Sequence, residues 1–384
     1  MEITIVIICG LATLFGLGIT VRCVLAQKRI LWLAPSTEAV HQNTKISVII
    51  PARNEEFDIA PALHSVLEQQ GVELEVIVVD DHSTDRTGRL ADEIGRSDAR
   101  VTVLHEPPLT NGWLGKCNAM QQGAGGATGD FLLFTDADIV HAPGCFATVL
   151  DVMQQNRYDF ISLMPRCDSH SLWENVNLPI YFFGVAKLLA TPRLEDPDST
   201  RAVASRALML INTRVFRDIG GFQGVKGEML DDVGLARLLK IKHYRIGYRL
   251  APACMRVRLF KNNRDAFWGM TKNILTAVED HVWLAVPLML VVILQYWTPV
   301  LAVMLGAILP NPLLLFVGLA TYGIQYVSFF TVQRILRFHP LKLLFFPLVA
   351  VVGTCCLGRA LYFHWKGAIS WRGRTIKVKE KESG

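Results

Sequence analysis

Three short apolar runs, each stopping at polar and acidic residues, constrain the fold of this chain more than any other feature. Lys45–Pro51 (KISVIIP) runs into Arg53, Asn54, Glu55 and Glu56; Leu74–Val79 (LEVIVV) into Asp80 and Asp81; Phe131–Phe134 into Thr135, Asp136, Ala137 and Asp138. A short unbroken apolar run followed by a polar break reads as a buried parallel strand. Helix-period segments lie between them. Ile59–Gln69 places Ala62, Leu63, Val66 and Leu67 on one face behind Asp58 as a cap, and Ser83, Thr84 and Asp85 open another helix. Val101–Leu104 reads as a further strand, and a helix runs through Asn118–Gln122. This alternation predicts an α/β fold whose sheet binds ligands at the carboxyl ends of its strands. The glycines of Gly123–Gly129 lead into a strand rather than from a strand into a helix, which excludes a dinucleotide fingerprint.

Taken alone, Asp136-x-Asp138 is more often a turn or a helix cap than a site. Three neighbouring strand ends with polar and acidic groups argue for a site, because two carboxylates can share a divalent cation and that cation can hold a diphosphate. Beyond it, a helix over about Gly144–Gln155, a strand at Phe160–Met164, a strand at Ala207–Ile211 and a helical turn at Phe216 continue the pattern. A second acid group, Glu228, Asp231 and Asp232, opens the helix Val233–Lys240. It serves either the helix dipole or a general base, and local sequence leaves both open. After a last strand, Tyr244–Ala251, the basic residues Arg256, Arg258, Lys261 and Arg264 form either a solvated or membrane-facing surface or a clamp on phosphate oxygens.

Composition bears on the two ends. Apolar residues make up 51% of the 384 and charged residues 19%, which predicts a membrane-embedded fraction. Ile3–Val21 carries no charge, and Arg22, Lys28 and Arg29 follow it. This predicts a retained transmembrane anchor over residues 1–27, with the N-terminus outside and the next domain in the cytoplasm. Trp173–Ala190 is aromatic-rich and amphipathic, either an interfacial helix or a core helix. Leu284–Leu309, Leu313–Val332 and Leu343–Leu357 predict a membrane domain over 283–364 with two to three spans, followed by a basic tail, 365–384. Four full spans would leave that tail outside, against the positive-inside rule, so one run is expected to be re-entrant or interfacial. The net charge of +5, with no Lys/Arg run interleaved with aromatics, speaks against nucleic acid. Eight cysteines without C-x-x-C spacing speak against zinc and against a disulfide framework. The apolar runs lack ionisable residues, which disfavours transport.

Six segments in order, VIIPARNEE (Val48–Glu56), VIVVDDHSTDRT (Val76–Thr87), GWLGKCNA (Gly112–Ala119), FTDAD (Phe134–Asp138), MLINTRVFRDIGGF (Met209–Phe222) and EMLDDVGLARLLK (Glu228–Lys240), resemble glycosyltransferase family 2, the inverting GT-A enzymes. Trp113-x-Gly115-Lys116 and Lys272-Asn273 resemble its membrane-anchored branch, associated with hopene and carotenoid (diaponeurosporenoate-type) glycosylation. The resemblance implies a GT-A nucleotide-diphospho-sugar transferase fold over residues 45–265, with a Rossmann-like mixed sheet, plus transmembrane helices. It implies that Pro51, Arg53, Asn54, Glu55 and Asp81 hold the base and ribose of a UDP-sugar, with Lys116 reaching the nucleotide. Asp136 and Asp138 would bind Mg2+ or Mn2+. Asp232 would be the general base, with Asp231 as second choice, and the acceptor a lipid at a cell membrane. The Q/R-x-x-R-W string of processive members is missing, since Arg258 and Lys261 are followed by Asn262, which argues against a polysaccharide polymerase. Polyprenyl-phosphate sugar transfer, phosphate hydrolysis and a non-catalytic scaffold remain as alternatives.

Overall fold

The computed structural model describes residues 2–27, 31–36, 39–170, 174, 195–196, 199, 201–228, 230–260, 262–263, 265–269, 271, 282–336, 346–366, 368–371 and 374–377. The expectations for Trp173–Ala190 (Glu174 apart), Lys261, Arg264 and Lys272-Asn273 therefore lie outside the described residues. The chain divides into two compact units. One comprises Ile30–Asp168 and Thr191–Arg258, the other Met1–Arg29, Ser169–Ala190 and Leu259–Gly384.

The described residues of the first unit form ten strands: β1 (His41–Ala52), β2 (Val72–Asp80), β3 (Val101–His105), β4 (Phe131–Phe134), β5 (Ile139–His141), β6 (Phe160–Met164), β7 (Arg166–Cys167), β8 (Leu208–Asn212), β9 (Ile246–Leu250) and β10 (Met255–Val257). Seven make one sheet in the order β3-β2-β1-β4-β8-β6-β9. Strands β1 to β4 run parallel, β8 runs antiparallel between β4 and β6, and β6 and β9 are parallel to each other. The register fixes where the strands end. Ala52 lies beside Asp80, Ile49 beside Phe134, and Phe134 beside Met209. The ends of β1, β2 and β4 and the start of β8 therefore share one edge of the sheet.

The apolar runs become strands because both of their faces are covered. Val48, Ile49, Ile50, Val78, Val79 and Leu133 are fully buried. The Phe134, Phe216 and Phe222 rings pack at centroid distances of 5.0–5.5 Å, two pairs edge to face, and hold the helix Thr213–Asp218 and the turn Gly221–Val225 on β4. Burying each such ring contributes about 1.5–3 kcal/mol.

Two details correct the sequence expectations. Asp58 precedes the helix Ile59–Leu67 in helical conformation and makes no side-chain capping bond. The helix also stops short of Gln69, whose amide instead donates to Ser65 O (3.0 Å) and Ala142 O (2.9 Å) and accepts from Phe146 N (3.1 Å). The strand expected over Tyr244–Ala251 is not the last of this unit: β10, at the start of the basic stretch, pairs antiparallel with β5 and parallel with β7 in a second, small sheet, with Arg256 opposite Val140.

The second unit contains helices Glu2–Gln27, Val282–Ile308, Pro312–Leu336 and Phe346–Lys366, then the hairpin β11 (Ala368–Trp371) and β12 (Arg374–Lys377). Polar groups tie three of the helices together: Gln295 Nε2 donates to Ala12 O (2.9 Å), Gln325 Nε2 to Gln295 O (2.6 Å), and the Thr13 and Thr321 hydroxyls are 2.8 Å apart. Among the described residues no helix is long and apolar enough to cross a membrane.

Candidate active site

The site is assembled at the shared edge. Beyond the end of β1, Arg53 Nη1 donates to Asp81 O at 2.7 Å and lies 3.8 Å from the Asp81 carboxylate. Asn54 has φ +55°, a left-handed conformation that Asn tolerates better than most side chains. From there its Oδ1 accepts from Thr84 N (2.8 Å) while its own N donates to Ser83 Oγ (3.1 Å). Glu55 is buried, and its N donates to Thr87 Oγ1 at 2.8 Å. The loops after β1 and β2 are thus laced into one surface. Asp81 is itself buried and donates its N to Ala52 O at 2.9 Å. Asp80 accepts from Ser83 N (3.1 Å) and is 3.4 Å from His105 Nδ1, whose Nε2 sits 2.9 Å from Asp92. The Asp92 hydrogen bond, with help from Asp80, raises the His105 pKa above its usual value. Gly88 is required here, since a Cβ would come within 2.4 Å of Asp80 Oδ2.

Past β4, Thr135 is buried, with its N on Ile49 O (3.2 Å) and its Oγ1 on Ala207 O (2.8 Å). Asp136 accepts a short hydrogen bond from the Lys116 ammonium. Asp138 is different. Burial, then the negative charges of Asp136 and Glu55, push its pKa up to about 7, with Lys116 pulling the other way. One of its carboxylate oxygens is buried with no hydrogen-bond partner among the described residues.

The second acid pair opens the helix Asp231–Ile241. Asp231 accepts from Arg206 Nη1 at 2.9 Å. Asp232 accepts from Arg206 N (3.2 Å) and Val233 N (2.9 Å). Both carboxylates are buried, and burial raises the Asp232 pKa against the opposing charge of Arg206. Burial disfavours the Arg206 charge, but Asp231, Asp232 and Asp136 together hold the guanidinium pKa well above its usual value. Lys116 acts on both Asp138 and Asp232. The two acid pairs therefore share one electrostatic neighbourhood.

Among the residues predicted from sequence, Glu55, Lys116, Asp136, Asp138, Asp231 and Asp232 come together here, and Arg53, Asn54 and Asp81 form the adjoining loops. Pro51 lies within β1 beside Val79 and offers no polar contact. Arg256 and Arg258 are exposed at and just after β10. Arg206, Thr135 and His105 were not predicted. No group of three or more His, Cys, Asp or Glu that could hold a metal ion occurs among the described residues.

Residues 47–220 match the family model described as Glycosyl transferase family 2. That match spans just under half of the chain. The chain is similar to 4,4'-diaponeurosporenoate glycosyltransferases of Staphylococcus. It is 25% identical to one from Staphylococcus aureus over 354 residues, covering 88% of this chain and 89% of that one. A second S. aureus protein of the same name is 30% identical over 203 residues, 52% of each chain. In fold the chain resembles a mannosyltransferase from Pyrobaculum calidifontis solved with GDP-Man and Mn2+, at a TM-score of 0.55 and 18% identity, covering 94% of this chain and 99% of that one. The GT-A fold with its mixed sheet, expected from the sequence, is what the strands form, and the protein is a glycosyltransferase acting on a nucleotide-sugar donor.

Proposed function

We propose that the protein transfers a sugar from a nucleotide-sugar, of the UDP class, to a lipid acceptor at a membrane surface, with inversion at the anomeric carbon and with Mg2+ or Mn2+ on the diphosphate. The observation that carries this reading is the pairing of two unlike carboxylate groups at one sheet edge. Each contains a buried oxygen with no hydrogen-bond partner among the described residues, on Asp138 and on Asp231, and the second is also held by the Arg206 guanidinium. Asp136 and Asp138 fit a divalent cation, because the charges that crowd Asp138 are those a cation would relieve. When bound, such a cation supplies Lewis-acid stabilisation of the charge that grows on the departing diphosphate.

The remaining roles fall to the chain. The laced loops of Arg53, Asn54, Glu55 and Asp81 lie where the base and ribose would sit, and Lys116 has a single ammonium to offer the phosphates. Asp232 takes the proton from the acceptor hydroxyl as its oxygen attacks the anomeric carbon. Its raised pKa, which burial causes, makes it a stronger base than an ordinary carboxylate. Arg206 holds one oxygen of Asp231, and Asp231 stands as the second choice of base.

The relatives named for 4,4'-diaponeurosporenoate support an apolar, lipid-like acceptor. Membrane attachment is supported by the helices of 26, 27 and 25 residues in the second unit. Ile3, Leu14, Leu290, Ile308, Leu313 and Phe316 are exposed on them. Arg22, Lys28 and Arg29 favour a cytoplasmic catalytic unit. Membranes containing the full chain, incubated with labelled UDP-glucose, UDP-galactose or GDP-mannose and Mn2+, are expected to yield label in the lipid extract. Release of free sugar alone would replace transfer by hydrolysis, and a reporter fused at residue 150 that reads out as extracytoplasmic would reverse the proposed orientation.

A further inference from the structure

One short piece of backbone, Ser205–Ala207, runs between the two acid pairs and is fixed on both sides. Ser205 N donates to Ser162 Oγ at 2.7 Å, and Ser162 Oγ donates back to Ser205 O at 3.0 Å. Ser162 lies on β6 and is fully buried. On the other side, Thr135 Oγ1 donates to Ala207 O at 2.8 Å, and Thr135 is the residue before Asp136. Arg206 is held between these clamps. Its backbone N reaches Asp232 at 3.2 Å and its guanidinium reaches Asp231 at 2.9 Å.

We propose that Arg206 is the positioning residue of the acceptor side: its guanidinium holds Asp231 while its backbone N–H aims the neighbouring Asp232, so that the strand leading to Asp136 and the helix bearing the base keep one fixed spacing. The proposal rests on the transferase reading given above, with Asp232 as base. A charge-assisted bond from a guanidinium is short and directional, and the clamped backbone removes the freedom that would blur it. A helix N-terminus with two adjacent acids and no such tie would leave either carboxylate free to face the acceptor. Here the guanidinium takes one oxygen of Asp231, while both oxygens of Asp232 are set by the N–H groups of Arg206 and Val233, which makes Asp232 the more firmly oriented of the two.

The charged groups that face Asp232 are Arg206, Asp231 and Lys116. The positive charge of Arg206 favours the ionised form of Asp232, and the negative charge of Asp231 disfavours it. Opposite substitutions therefore move the acid limb of the kcat–pH profile in opposite directions. The test uses the full chain in membranes with UDP-glucose or GDP-mannose, whichever the wild type transfers to a total lipid extract, and follows binding of UDP with Mn2+ by calorimetry. R206M is expected to lower kcat by at least about tenfold and to shift the acid limb to higher pH, with binding of Mn2+ and UDP changed by less than about twofold. R206K should return the limb towards its wild-type position, since it restores the charge, without restoring the full rate. D231N should lower kcat and shift the limb to lower pH, and it decides the matter if R206M fails to fold. An R206M enzyme with wild-type kcat and an unmoved limb overturns the proposal while leaving the transferase reading intact. A wild type that transfers no sugar from any donor overturns that reading, and the inference with it.

Discussion

Asp136 and Asp138 on one side, Asp231 and Asp232 on the other, are the same chemical groups answered by different cations. Asp136 meets a lysine ammonium, and both partners keep about a third of their side-chain surface in solvent. Asp231 meets an arginine guanidinium and is almost wholly buried. A lysine is a compact point charge on a flexible stem, whereas an arginine is a planar, permanently charged fork. A part-exposed pair of the first kind is worth ~0–1 kcal/mol and is easily displaced. The first pair is therefore suited to an exchangeable cation and the second to a fixed geometry. Each pair keeps one buried oxygen with no hydrogen-bond partner among the described residues, on Asp138 and on Asp231, while both oxygens of Asp232 are hydrogen-bonded to backbone N–H groups.

The contrast is sharpest at Asp232. D232N is expected to lower the transfer rate by about 10²–10⁴-fold while leaving donor affinity nearly unchanged, as measured by single-turnover transfer alongside equilibrium donor binding. Full turnover in that variant would remove the base from the acceptor side. D138N should weaken Mn2+-dependent donor binding by more than about tenfold, because the site loses half of its protein charge. An unchanged metal titration would dissolve the distinction between the pairs.

The pH dependence of metal binding follows from the same residue. With the Asp138 pKa at about 7, the carboxylate must lose a proton before it can hold a cation. Mn2+ affinity is therefore expected to fall by about tenfold per pH unit below about 7 and to level off above it. Because the folded pKa lies above the unfolded carboxylate value, the metal-free protein should also lose stability as pH rises through about 7, and Mn2+ should restore it; thermal denaturation at pH 5.5 and 8.5 measures both. The smallest effect belongs to Lys116. K116M should tighten binding of Mn2+ alone by no more than about fivefold, since the ion pair it removes is part-exposed, and should weaken binding of UDP.

How far these pairs were legible in the sequence depends on the range of the interactions that form them. The strand Phe160–Met164 was legible to the residue, because burial on both faces leaves an unbroken apolar run. The joint use of Glu55, Asp136 and Asp138 could be inferred because each follows such a run. Arg206 could not, because it is a single basic residue before an apolar stretch, and nothing in its spacing marks it. Only the antiparallel insertion of β8 beside β4 brings it to the acids. The β5-β10-β7 sheet escaped for a related reason: its strands have two or three residues each, too few for a pattern, and its pairings join segments far apart in the chain. Asp58 shows the opposite failure, a good local signal for a cap that the backbone conformation does not use.

The late arrival of β8 has a consequence for synthesis. Strand β4 pairs with β1, already made, but its other edge is covered only by a strand that leaves the ribosome after residue 207. In the interval a bare apolar edge faces solvent or a neighbouring nascent chain, the arrangement from which intermolecular β-pairing starts. Asp136 and Asp138 stand just beyond that edge as like charges, which discourage such pairing. Refolding of a D136N/D138N double variant is accordingly expected to give more aggregate than wild type, as followed by light scattering, so that one pair of acids serves the newborn chain before it serves any sugar.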